Sequence, residues 1–284
     1  KGKLLENLYY LTLELIKVDS SRSSNLIERK KRNAEARLSS YAIPKEAYNK
    51  LWNKLDESYF IRHEESEIVW HARVLNFQAD SKQPIVKVRL SPIGDGLQVV
   101  IYGEDEDLVF AKICGFFDNT EFSVVEAKVF TTKNNHYVNT FQVLTHREVD
   151  IHYQDMIRYI EKELPIVLTQ SSLPKSISGR VSRRLKYFPI KPEVVIRGDE
   201  NGLNYYLQIT CADRPGLLYT IAQTLAEHRI DIQNAKINTM GERVEDTLLV
   251  SGDALRSSRE ALRLQNELVE KLSVPRTHAK SATQ

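Results

Sequence analysis

Hydrophobic and polar positions follow the same order twice along this chain. In the second half, apolar residues alternate from Tyr205 to Cys211 and then recur at helical spacing from Leu217 to Leu225. Strand-like segments return at Ile230 to Thr239 and at Thr247 to Val250, after an earlier short one at Val194 to Ile196. A period of two predicts strands and a period of 3.6 predicts helices. With a closing helix at Leu255, Leu262, Leu264, Leu268 and Leu272, the predicted order is ββαββα.

The first half shows this order too, which predicts one fold unit used twice. Ala127-Lys128-Val129 recurs 108 residues later as Ala235-Lys236-Ile237. Each copy is predicted to be α+β and ferredoxin-like, with both helices on one face of a four-stranded antiparallel sheet. The first copy's predicted elements are strands at Ile85 to Leu90, Leu97 to Tyr102, Phe122 to Thr132 and Tyr137 to Leu144, and helices from about Asp107 and from Ile151 to Leu164.

A helical leader is predicted ahead of the copies. Leu26 to Leu38 is charged and helical, Pro44 fits the first position of a second helix, and another helix is predicted from Ile68 to Leu75. The predicted domains are a helical region at 1–83, the first copy at 84–170 and the second copy at 192–284. A linker at 171–191 separates the copies, because this stretch is rich in Ser, Pro, Lys and Arg and has no apolar period.

Composition is that of an ordinary globular protein. The chain has 284 residues, is 42% hydrophobic and 27% charged, and carries a net charge of only +2. No apolar stretch approaches the ~20 residues that span a bilayer, so we expect no membrane contact. The basic cluster Arg180, Arg183, Arg184 and Lys186 has no interleaved aromatic residues, and we expect no nucleic-acid partner.

Neither the cysteines nor the histidines have the spacing of a metal site. Cys114 and Cys211 are far apart in apolar segments, which predicts buried thiols in a reducing compartment, and we expect a cytoplasmic protein. His63 and His71 are eight residues apart, a poor spacing for a shared metal, and structural contacts are favoured. The aromatic residues Trp52, Tyr59, Phe60 and Trp70 are expected to form a helix-packing core.

Each copy has a polar junction between its second strand and first helix. In the second copy, Asp213 is predicted to cap the helix, Pro215 to occupy its first position, and Gly216 to admit a ligand close to the main chain. Free N–H groups of the first turn would hold a carboxylate or amide, and Asp213 would meet an ammonium group. The alternative is capping and packing alone. The first copy reads Asp105-Glu106-Asp107-Leu108, without the Pro or the Gly, so the copies are predicted to differ in binding.

Several motifs carry a resemblance. The segment from Asp213 to Leu218 reads Asp-Arg-Pro-Gly-Leu-Leu, and with the ββαββα order it resembles an ACT domain. Tyr59 to His63 reads Tyr-Phe-Ile-Arg-His, Ile68 to Arg73 reads Ile-Val-Trp-His-Ala-Arg, and Gly241 to Asp246 reads Gly-Glu-Arg-Val-Glu-Asp. In this order the motifs resemble the C-terminal part of the bifunctional uridylyltransferase and uridylyl-removing enzymes that modify the PII signal protein.

The resemblance implies a regulatory region that senses L-glutamine, with PII as a partner through the parent enzyme. In tandem ACT domains a ligand usually lies between the copies. The expected ligand contacts are therefore Asp213, Arg214, Pro215, Gly216, Leu217, Gln233 and Asn234, facing Asp105, Asp107 and Leu108 of the first copy.

The resemblance also places chemistry outside this chain. The family's nucleotidyltransferase and HD domains would lie upstream and use Mg²⁺, whereas no catalytic residue, metal ligand or cofactor site is expected here. Asn7 to Leu13 resembles the last HD helix, but Glu14-Leu15 follows where the family has Ala-Asp. Two alternatives stay open: a stand-alone ACT-repeat protein that binds amino acids, and a catalytic fragment that retains HD chemistry.

Overall fold

The computed structural model describes residues 20–92, 95–106, 108–120, 122–145, 153–170, 172–174, 190–199, 203–240 and 242–273. The HD-like segment at Asn7 to Leu13 lies outside these ranges. So do the basic cluster, most of the predicted linker and Asp107, which is one of the predicted ligand contacts. The chain forms two compact units, Lys1–Asp80 with Thr132–Asn134, and Ser81–Thr131 with Asn135–Gln284.

The first unit confirms the helical leader. It contains α1 (Ser20–Ser40), α2 (Lys45–Trp52), α3 (Glu57–Arg62) and α4 (Glu65–Val74). Pro44 lies one residue before its predicted place, at the N-cap of α2 with extended backbone, because proline fixes φ but leaves ψ free. Asp56 caps α3 through its carboxylate, which accepts the N–H of Tyr59 at 3.1 Å.

Aromatic and histidine side chains fill the centre of the helical unit. Trp52, Phe60 and Trp70 are buried, which confirms the predicted packing core. His63 and His71 are fully buried, with their ring centroids 5.1 Å apart. The Tyr59 hydroxyl bonds His71 Nδ1 at 2.6 Å, and His63 Nδ1 lies 3.0 Å from the Tyr59 carbonyl oxygen. Both histidines therefore have structural partners.

The first repeat has the predicted ββαββα order. Its elements are β1 (Ile85–Leu90), β2 (Leu97–Glu104), α5 (Val109–Asp118), β3 (Phe122–Thr131), β4 (His136–Thr145) and α6 (Tyr153–Thr169). The helix predicted from about Asp107 begins at Val109, after Leu108 in a left-handed conformation.

The second repeat has the same order with one added short strand. Its elements are β5 (Glu193–Gly198), β6 (Tyr205–Ala212), α7 (Leu217–Glu227), β7 (Asp231–Lys236), β8 (Thr239–Met240), β9 (Arg243–Ser251), a 3-10 turn (Asp253–Arg256) and α8 (Ser258–Leu272). The strand predicted from Ile230 to Thr239 is therefore two strands. Leu255 lies in the 3-10 turn ahead of the closing helix, because Ser257 caps α8 and sets its start.

The nine strands of the described residues form one sheet that joins the two repeats. The order is β1-β2-β4-β3-β7-β9-β6-β5, with β8 paired to β9 off this path. Antiparallel pairing of β3 with β7 connects the repeats, and it places Ala127 opposite Ala235. These two alanines are the same position of the repeat, so the copies are related by a local twofold axis that passes between them.

The helices of both repeats contact one another on one face of this sheet, α5 with α7, α5 with α6 and α7 with α8. Beneath them, inward-facing residues of both copies form one continuous hydrophobic core. Cys114 and Cys211 are free thiols inside it, as predicted. The two repeats therefore share a single core within one compact unit.

Candidate functional site

The predicted ligand-binding junction of the second copy is a short loop between β6 and α7. Gly216 is the N-cap of α7 and has φ +79°, a left-handed conformation that favours glycine. Asp213 and Pro215 thus lie before the helix and occupy neither of the helix positions predicted for them. The left-handed glycine backbone stands at the N-cap where the Asp213 carboxylate was expected, and Gly216 has no side chain to cap the helix.

Two contacts hold this loop to the rest of the second copy. The Asp213 N–H donates to the carbonyl oxygen of Glu242 at 2.9 Å, which ties the loop to the turn before β9. The Arg214 guanidinium donates to the carbonyl oxygen of Lys271 at the end of α8. This guanidinium lies at a helix C-terminus, where a cation is favourable, and the role of Arg214 as a ligand contact stays a prediction.

Protein groups already bind part of the first turn of α7, contrary to the prediction that its N–H groups are free. The Leu217 N–H donates to the carbonyl oxygen of Arg214 at 3.2 Å. The Tyr219 N–H donates to Asp118 Oδ2 at 3.3 Å. Asp118 is the last residue of α5, so a carboxylate from the first copy lies at the helix start of the second.

A second carboxyl group is buried near this loop on strand β9. Asp246 lies opposite Ile209 of β6, in line with the inward-facing residues Val244, Leu248 and Val250. Its side chain is 2% exposed. Oδ1 accepts the Asn238 N–H at 3.3 Å, whereas Oδ2 has no hydrogen-bond partner among the residues that the structure describes.

Burial and repulsion between carboxylates raise the pKa values of Asp246, Asp118 and the nearby Cys211 thiol. Burial, with a further rise from Asp213, holds the pKa of Asp246 at about 7 although the Asn238 N–H lowers it. Burial likewise raises the pKa of Asp118 to about 6, with the Tyr219 N–H lowering it and Asp213 raising it. Burial and the Asp246 charge raise the pKa of the Cys211 thiol to about 12, so this thiol stays protonated near neutral pH.

Gln233 and Asn234 lie on β7, at the joint between the two copies. Asn234 pairs with Lys128 of β3 in the strand ladder. Gln233 occupies an irregularity in the pairing of β7 with β9, and its amide donates to the Ser251 hydroxyl at 3.2 Å. Their proposed role as ligand contacts stays a prediction.

The first copy's junction has the same backbone course with different side chains. Leu108 has φ +68° at the N-cap of α5, the repeat position that Gly216 occupies in the second copy. Asp105 accepts the Thr131 hydroxyl at 3.2 Å, and its N–H donates to the Asn135 carbonyl oxygen at 2.8 Å. A cavity of about 210 Å³ lies here, lined by Lys82, Gln83, Pro84, Gly103, Glu104, Glu106, Val109, Tyr137, Leu168 and Thr169.

The two junctions do not form one site. Asp118, at the C-terminal end of α5, contacts the N-terminal turn of α7, whereas Leu108 lies at the other end of α5. Ten helical residues separate these ends, about 15 Å at 1.5 Å per residue. The twofold relation between the copies makes the helices antiparallel, so Asp105 and Leu108 lie at the far end of the helix pair from Asp213 and Gly216.

Sequence reasoning missed Asp118 and Asp246 as members of the second junction. Asp246 interrupts an otherwise apolar set of inward positions on β9, a signal visible in the alternation. Asp118 ends a helix, where a negative charge is unfavourable unless another group compensates it. The N–H groups in the first turn of α7 compensate the charge of Asp118. Because tertiary packing places that turn beside Asp118, the sequence alone does not reveal the contact.

Among the described residues, none of the helices combines the length and apolar character needed to cross a membrane. Within the same part of the chain, no three histidine, cysteine or acidic side chains are grouped so that they could hold a metal ion.

Comparisons with known proteins agree with the resemblance seen in the sequence. A model described as the fifth domain of uridylyltransferase GlnD matches residues 22–74, and the ACT domain model matches residues 205–263. The bifunctional uridylyltransferase/uridylyl-removing enzyme of Chromobacterium violaceum is 44% identical over 280 residues, which are 96% of this chain and 32% of that protein. The enzymes of Burkholderia lata and Burkholderia vietnamiensis are 41% and 40% identical over 275 residues, with the same coverage.

The chain thus spans about a third of the length of the curated relatives that it matches. Among solved structures, a protein of unknown function from Galdieria sulphuraria is 12% identical over 66% of this chain and 92% of that one, with a TM-score of 0.22. That value is too low to support an inference about the fold.

Proposed function

We propose that this chain, which corresponds to the regulatory, ACT-containing C-terminal region of the bifunctional uridylyltransferase/uridylyl-removing enzymes, senses L-glutamine for its parent enzyme. The proposal includes a ligand site at the second junction, around Asp213 and Gly216. It also includes PII as the protein that the parent enzyme modifies.

One observation carries the proposal: a carboxylate of the first copy bonds the helix start of the second, beside the left-handed Gly216. A zwitterionic amino acid presents a carboxylate and an ammonium group. The positive end of α7 suits the first, and the acidic residues Asp118, Asp213 and Asp246 suit the second. A ligand that binds here would contact both copies, and it would change how α5 packs against α7.

Catalysis is assigned to other domains of the parent enzyme. Nucleotidyltransferase and HD domains with Mg²⁺ would carry out uridylylation and its reversal, and the region described here would bias them. The support for this assignment is that the relatives are about three times as long as this chain.

Calorimetry on the full chain tests the proposal. We expect heat of binding with L-glutamine at millimolar concentration and no transfer or removal of uridylyl groups on PII. L-Glutamate is the control ligand, because it differs only in replacing the neutral side-chain amide with a carboxylate. No glutamine binding by protein that is folded by circular dichroism would refute the sensing role, and turnover of PII would refute the assignment of catalysis.

A further inference from the structure

Asp246 is a buried carboxyl group with one oxygen unpaired within the described part of the chain. Its side chain is 2% exposed, and Oδ2 has no partner among the described residues. A buried polar atom without a partner destabilises the fold, and more so when the group is charged. This destabilisation is removed if a ligand supplies the missing donor.

The surroundings of this oxygen indicate which donor fits. Oδ1 takes the Asn238 N–H, and the charge of Asp213 also acts on Asp246, whereas the Arg214 guanidinium bonds the carbonyl oxygen of Lys271. The neighbouring Cys211 thiol is a weak donor inside the core. The two neighbouring carboxyl groups of Asp246 and Asp213 favour a cation that donates hydrogen bonds, and an ammonium group is such a cation.

The first copy lacks this arrangement at the equivalent place. Asn139 lies on the inward face of β4, opposite Ile101 of β2, as Asp246 lies opposite Ile209 of β6. Asn139 is 1% exposed, and its Oδ1 is likewise without a partner among the described residues. Its neutral amide cannot neutralise an ammonium charge. The same backbone position is therefore neutral in one copy and acidic in the other.

We infer that Asp246 is the residue that holds the α-ammonium group of the amino-acid ligand, and that the second copy is the one that selects for this group. The inference rests on the proposed function and adds a specificity-determining residue to it. Asp213, which the sequence suggested for this role, then acts as a neighbouring negative charge that strengthens the attraction.

The test compares L-glutamine with glutaramic acid, the analogue that lacks only the ammonium group. With the wild-type chain, calorimetry should show glutaramic acid binding at least ~10-fold more weakly than glutamine, because a charge-assisted hydrogen bond is lost. Asp246→Asn, which keeps the side-chain shape, should weaken glutamine by roughly 10- to 100-fold and leave glutaramic acid unchanged. The ratio of the two dissociation constants should therefore fall toward one in the variant.

Asp253→Asn is the matched control, since Asp253 is an exposed carboxylate of the same copy and pairs with Arg256. It should leave both affinities at wild-type values. Equal affinity of the wild-type chain for the two ligands would overturn the inference even if Asp246→Asn does not fold. So would an Asp246→Asn variant that keeps the wild-type ratio. A wild-type chain that binds neither ligand would overturn the proposed function itself.

Discussion

Buried carboxyl groups make the stability of this protein depend on pH. In the folded chain the pKa of Asp246 is about 7, whereas an unperturbed aspartate has 3.8. Between these values the folded state binds more protons than the unfolded state, so the free energy of unfolding decreases as pH rises from about 4 to about 8. Asp118, whose pKa is about 6, also lowers the free energy of unfolding as pH rises, over a narrower pH range than Asp246.

Asp246→Asn should remove most of this dependence. We expect the variant to be more stable than the wild type at pH 8 by roughly 1–4 kcal/mol and to differ less at pH 5, because ionising a buried carboxyl costs about 1.4 kcal/mol per pKa unit. Urea unfolding at both pH values measures the difference, with Asp253→Asn as the exposed control. Parallel pH profiles for the wild type and Asp246→Asn would contradict this account.

Gly216 is constrained by its backbone conformation as well as by any ligand. At φ +79°, alanine should lower the free energy of unfolding by about 1–2 kcal/mol, and valine by more because it is β-branched. Thermal unfolding of Gly216→Ala beside Gly198→Ala measures this. Gly198 lies in a strand, where an added Cβ would be 3.7 Å from the nearest atom, the Tyr205 ring. An equal effect at both positions would show that backbone strain is absent at Gly216.

Secondary structure of the repeats followed from the sequence, because hydrophobic period alone separates strands from helices. Helix starts were less certain. In the Asp-Arg-Pro-Gly segment, Asp213 is a good N-cap residue and Pro215 a good first helical residue. The helix α7 nevertheless begins only after the left-handed Gly216. Leu108 adopts the same conformation without glycine. In the second copy, local preference favoured Asp213 as the cap, whereas the path from strand to helix places Gly216 there.

Contacts between elements of different copies were beyond prediction. The role of Asp118 depends on α5 packing antiparallel to α7, which in turn depends on β3 pairing with β7. The sequence showed that two copies exist, but many surfaces of one copy offer a possible joint. Residues of the second junction that are adjacent in sequence were therefore identified, whereas the carboxylate from the other copy was missed.

Packing at the twofold axis is expected to tolerate little added volume. Ala235 is fully buried at the centre of the β3–β7 joint, facing the helices. Ala235→Leu should therefore cost about 1–3 kcal/mol by overpacking. Thermal unfolding checks it against Lys236→Leu, which changes an exposed neighbour on the same strand. A leucine that costs no more at 235 than at 236 would mean that the joint is loosely packed.

At the scale of the parent enzyme, regulation and chemistry should be separable. Deleting both repeats, from about Pro84 onward, should leave an enzyme that retains some activity but no longer responds to glutamine. Allostery needs an effector that binds two states with different affinity, and the proposed effector site lies entirely within the deleted part. Assays of uridylylation and its reversal, with and without glutamine, measure the response. A truncated enzyme that still switches would place the sensor elsewhere.

The pairing of Ala127 with Ala235 joins two copies of one fold unit in the way that two identical subunits join in a dimer. Two separate identical subunits that met in this way would assemble only above a certain concentration, and any substitution would alter both halves at once. Here one polypeptide carries both halves, so their encounter is intramolecular and independent of protein amount. The sequence of each half can also change independently of the other. At equivalent positions, Leu108 of the first copy corresponds to Gly216 of the second, and Asn139 corresponds to Asp246. If the chain senses glutamine as proposed, the glutamine level that triggers the response should therefore be the same whether a cell makes few copies of the protein or many.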